Sequence, residues 1–78
     1  GVKMKLTLKA ARVNAGLTQK DAANLLKVHP QTLAKWEADN SKMPFAKVKL
    51  AEQLYGVDEG VIFFGKAFEL SRNVAGVK

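Results

Sequence analysis

Seventy-eight residues, 47% of them hydrophobic and 26% charged, suffice for one compact domain and are too few for two. A chain this short buries only about 60% of the surface its unfolded form exposes, so its stability is expected to be modest unless a partner subunit adds to helix packing. With no Cys there is no disulfide, and the single His29 cannot assemble a metal site alone, so neither metal nor cofactor is expected. The net charge of +6 sits in the first half: residues 1–35 hold seven basic side chains against Asp21, whereas 36–78 balance. That one-sided positive field suits a polyanion.

Gly1-Val2-Lys3 ahead of Met4 reads as added sequence, and residues 1–5 as a flexible arm. Thr7 is placed to cap a first helix from Leu8 to about Ala15, which Gly16 ends by tolerating positive φ. Thr18, with Asp21 three residues on, opens a second helix that ends near Leu26 and carries Ala22, Ala23, Leu25 and Leu26 on its apolar side. Pro30 lacks the amide hydrogen a helix interior needs yet fits a first turn, so a third helix is predicted from His29 or Pro30 to about Ala38. Asp39 to Met43 reads as a polar loop and Pro44 as the first turn of a fourth helix reaching Tyr55, closed by Gly56. Asp58 is expected to cap a fifth helix over Glu59 to Phe64. The predicted fold is all-α, with a five-helix domain over 6–65 and a tail over 66–78 in which Phe68 and Leu70 extend the packing and Asn73 to Lys78 fray. The longest apolar runs, such as Val61 to Phe64, fall far short of the roughly 20 residues that cross a bilayer, so no membrane partner and a cytoplasmic location are expected.

The most specific stretch is Gln19 to Glu37, QKDAANLLKVHPQTLAKWE. Two short helices joined by three or four residues must cross steeply, and the crossing needs a small residue, supplied by Ala23, where the backbones approach. Ala22, Leu26, Val28, Leu33 and Trp36 fall on the inward sides, which leaves Gln31, Thr32 and Lys35 outside. Glutamine pairs with adenine, lysine donates to guanine, and threonine offers a hydroxyl and a methyl, so this face suits base reading, although plain solvation produces similar faces.

With GLTQKDAA, VHPQTLAKWE and LAEQLYGV in place, the sequence resembles the lambda-repressor and Cro-like helix-turn-helix family, the XRE type, over about Leu8 to Phe64. The resemblance implies a transcriptional repressor or regulator of prokaryotic or phage kind, bound to double-stranded DNA with its third helix in the major groove. It also implies a homodimer, at least on DNA, on a palindromic operator whose half-sites lie about 34 to 36 Å apart. By position, Gln31, Thr32 and Lys35 match base-contacting slots, Gln19 a phosphate anchor, and Asn40, Ser41 and Lys42 a loop that grips phosphate or simply connects two helices. His29 reads as a cap or a phosphate contact. Arg12 and Glu37 match an internal salt bridge, favoured because Arg12 otherwise interrupts the apolar side of its helix. Two departures stand out: Lys27 occupies a turn position that is usually glycine, and Pro30 brings no donor to an early slot of the reading helix.

An enzyme is not expected, since no nucleophile, acid–base pair or phosphate cradle stands at a recognisable spacing. The competing reading is an antitoxin or other protein-interaction module on the same fold, with DNA binding secondary. Val57, Val61, Ile62, Phe63 and Phe64 are more apolar than one short terminal helix needs, so part of this stretch, Val57, Val61, Phe63 and Phe64, is expected to form a surface for a second copy or another protein. Trp36, Phe45, Tyr55, Phe63 and Phe64 are expected in the core rather than as a stacking platform for single strands.

Overall fold

The structure, a computed structural model, describes residues 5–66. The arm at 1–4 and the tail from 67 onward, with Phe68, Leu70 and Asn73 to Lys78, lie outside the described residues. Four helices follow in order: α1 Leu8–Asn14, α2 Gln19–Leu26, α3 Pro30–Ala38 and α4 Phe45–Tyr55. None is long and apolar enough to cross a membrane.

The helix starts are set by local chemistry. Thr7 Oγ1 accepts from the Ala10 amide and Thr18 Oγ1 from the Asp21 amide, each satisfying a first-turn donor that has no partner inside the helix. His29 does the same at α3, its Nδ1 accepting from the Gln31 amide at 3.1 Å, with Pro30 just inside. At α4 Pro44 is the N-cap itself, and no side chain caps the turn.

The α2–α3 turn runs through Lys27, left-handed at φ 61°, ψ 43° and the only non-glycine with positive φ among the described residues. The Val28 amide closes it by donating to Ala23 O at 3.0 Å. Holding a lysine there costs on the order of 1 kcal/mol. The turn is thus left-handed at a position where glycine would be unstrained, and Lys27 carries the strain instead. Compensation comes from α4: Lys47 Nζ donates to Leu26 O at 2.7 Å, placing a cation on the C-terminal end of α2, whose own last turn has no basic residue.

The core gathers Leu8 and Ala11 from α1, Ala22, Ala23 and Leu26 from α2, Leu33 from α3, and Val48, Ala51 and Tyr55 from α4. The fully buried Ala22 and Ala23 let α2 lie close to its neighbours. Leu25, expected on this apolar side, is 47% exposed instead; it falls off the stripe made by Ala22, Ala23 and Leu26.

The fifth helix does not form. After Asp58 the chain makes a tight turn, with Gly60 at φ 84°, and then runs extended. Leu6 pairs with Ile62 as a parallel bridge, its amide donating to Val61 O at 2.9 Å while the Phe63 amide donates to Leu6 O at 2.7 Å. Asp39 and Lys66 form a second, antiparallel bridge. A left-handed glycine in the predicted first turn breaks the helix, and the β-branched and aromatic residues that follow favour an extended backbone when a partner such as Leu6 is at hand. Ile62, fully buried, becomes the segment's anchor in the core.

Candidate nucleic-acid interface

α3 has an inner and an outer side. Leu33 and Glu37, four residues apart, are buried, and Trp36 is half-buried beside them. On the other side Gln31, Ala34, Lys35 and Ala38 are exposed, with Gln31 and Lys35 again one helical step apart. Thr32, expected with them, is half-buried and flanks this face. The small Ala34 and Ala38 leave the two polar side chains standing clear.

The inner side is fixed by ion pairing as well as by packing. Arg12 of α1 donates through Nε to Glu37 Oε2 at 2.6 Å and through Nη2 to Oε1 at 3.5 Å, and its Nη1 donates to Leu17 O at 2.8 Å. Gln19 of α2 adds a third donor to Glu37, Nε2 to Oε1 at 2.9 Å. Both charged residues are only 7% exposed. One carboxylate near the end of α3 thus ties α1 and α2 to the outer helix, and a two-pronged guanidinium contact fixes direction as well as distance.

Tyr55 lies beneath this pair. Its hydroxyl is buried without a hydrogen-bond partner, and its pKa is pushed up to about 12, first by burial and then by the negative charge of Glu37, against the opposing pull of Arg12. A raised pKa means that the folded state holds the phenolic proton more tightly. The stability this provides is complete below pH 10 and is lost as pH climbs from 10 to about 12, a span worth about 3 kcal/mol. Urea unfolding from pH 8 to 12 should show a steeper alkaline decline for the native protein than for Tyr55→Phe. At pH 8 the variant should match or slightly exceed the native stability, because it buries no unsatisfied hydroxyl. Parallel declines for both proteins would show that Tyr55 is solvated.

The remaining expected contacts divide. His29 is exposed at the start of α3, with Nδ1 engaged in the cap. Ser41 and Lys42 are exposed at the tip of the α3–α4 loop, where the Ser41 amide donates to Asp39 Oδ1 at 3.0 Å. That bond, ahead of the nearby charges of Lys66 and Lys42, holds the Asp39 carboxyl below its usual pKa. Asn40, expected at a phosphate, is only 3% exposed, with its side-chain amide turned inward and bonded to the backbone of Phe63 and Gly65. Gln19 likewise turns its amide inward, to Glu37. Val57, Val61 and Phe63 are half-buried, and Phe64 is 51% exposed. Phe64 and Phe45, at 74%, therefore do not belong to the expected aromatic core; Phe45 stands on the first turn of α4 with Lys49 Nζ 5.8 Å from its ring centre.

Three residues that sequence reading passed over shape the charge distribution. Lys47 is engaged with Leu26 O, and Lys49 pairs with Glu59 at 2.6 Å and with the buried Glu52 at 3.6 Å. Glu52 also accepts from the Gly60 amide at 3.1 Å. Among the described residues, Lys5, Lys9, Lys20, Lys27, Lys35, Lys42 and Lys66 are the exposed cations.

Two short helices crossing over a left-handed turn, the second with a buried and a polar side, make this a helix-turn-helix protein. The profile of that family, described as Helix-turn-helix, matches residues 8–62. The chain belongs to this lambda-repressor-like, XRE-type family of DNA-binding regulators. No curated protein matches it.

Proposed function

We propose that the protein is a sequence-specific repressor that binds double-stranded DNA with α3 in the major groove, as a homodimer on a palindromic operator. The observation that carries this reading is the orientation of α3, whose Gln31 and Lys35 stand exposed while Leu33 and the Arg12–Glu37 pair hold the opposite side. Gln31 pairs with adenine, Lys35 donates to guanine, and Thr32 at the edge of the face meets a thymine methyl or a base edge. His29 at one end of α3 and Ser41 and Lys42 beyond the other contact phosphates, which sets the helix in register along the groove. The second copy packs through the extended segment, with Phe64 at the centre and Val57, Val61 and Phe63 around it. Occupancy of the site then excludes competing proteins from the same DNA.

Selection of bound duplexes from a randomised pool tests the reading. It predicts an enriched inverted repeat with half-site centres one helical turn apart or a multiple of it. An enriched asymmetric site would contradict the dimer, and no enrichment would contradict sequence-specific binding.

A further inference from the structure

We propose that Asn40 is a positioning residue for DNA binding: by gripping the backbone at Phe63 and Gly65 it fixes the turn that presents Ser41 and Lys42. The inference rests on the DNA-binding reading above and assigns to Asn40 a role other than phosphate contact.

A primary amide is a side chain that copies a peptide group, with a donor and an acceptor side by side. Asn40 uses both: Nδ2 donates to Phe63 O at 3.0 Å, and Oδ1 accepts from the Gly65 amide at 3.0 Å. With the adjoining Asp39–Lys66 bridge, this stitches the loop after α3 to the extended C-terminal segment as a further strand contact would. The Asn40 carbonyl also accepts from the Met43 amide at 3.0 Å, closing the turn. Asn40 and Met43 are buried, 3% and 7% exposed, and between these two anchors stand the exposed Ser41 and Lys42. The placement of the Lys42 ammonium relative to α3 thus depends on a grip made by its neighbour on a segment more than twenty residues away in sequence. Removing the grip leaves two backbone groups of the segment without their partner and releases one end of the turn, while α3 keeps its His29 cap and the helices keep their core.

Salt dependence of binding to a mixed-sequence duplex reads this role, because the slope of log affinity against log salt falls by about 0.9 for each phosphate that the protein no longer neutralises. At a temperature where every variant is folded, Lys42→Ala and Asn40→Ala should each lower the slope by about 0.9, and the double variant no further. If Asn40→Ala melts but binds with native affinity and slope when folded, Asn40 merely holds the fold together and the proposal is overturned. An unchanged slope for Lys42→Ala, or an additive loss in the double variant, overturns it as well. Should Asn40→Ala not fold, Asn40→Ser adds no charge and keeps a short polar side chain without the amide that bridges Phe63 and Gly65, and the same slope is read. Native protein without salt-dependent duplex binding brings down the DNA-binding reading itself; native binding with an unaffected Asn40 variant brings down only this inference.

Discussion

Arg12→Met is expected to destabilise the fold by about 3 to 5 kcal/mol, because it leaves the Glu37 carboxylate buried with Gln19 as its remaining side-chain donor. Taking both charges out of water is itself expensive, and their attraction only offsets that cost. The doubly apolar variant Arg12→Met with Glu37→Leu should therefore recover most of the loss. Small single-core domains rarely hold more than about 3 to 5 kcal/mol in total, so the single variant should be largely unfolded at room temperature and the double variant folded. Circular dichroism during urea titration distinguishes the three proteins. A loss under about 1 kcal/mol for Arg12→Met would mean that the pair is solvated, as exposed pairs are.

Leu33→Ala should cost about 2 to 5 kcal/mol, because Leu33 is fully buried and its removal leaves a cavity directly behind the outer face of α3. Lys35→Ala, two residues on but exposed, should change stability by no more than about 0.5 kcal/mol. The contrast separates the two sides of one helix. Thermal melts of both variants check it, and similar losses for the two would mean that α3 is not seated by Leu33.

Much of this arrangement is legible in the chain. Thr7, Thr18 and Pro30 mark helix starts because capping and proline chemistry act within one turn, and the bounds of α1 to α4 lie within about a residue of expectation. The inward placement of Leu33 and outward placement of Gln31 and Lys35 follow from helical spacing alone. The extended segment after Asp58 is not legible, because its conformation depends on Leu6, more than fifty residues earlier, which supplies the pairing edge. Asn40 looks like a phosphate ligand in a polar loop, and only the three-dimensional return of Phe63 and Gly65 reveals its partners. Nothing local singles out Lys47, whose role follows from the placement of α4 against the end of α2, though the missing basic residue in that helix's last turn hints at an outside donor. In each case a contact between distant segments decides the outcome, although Gly60 and the β-branched residues after it already weigh locally against a fifth helix.

The claim that the exposed side of α3 reads bases is tested most directly by measuring Gln31→Ala and Lys35→Ala affinities on the selected duplex and on random duplex at one salt concentration. Each substitution should weaken binding to the selected duplex by about 1 to 3 kcal/mol while leaving random-duplex binding nearly intact. Equal losses on both duplexes, or none on either, would contradict it.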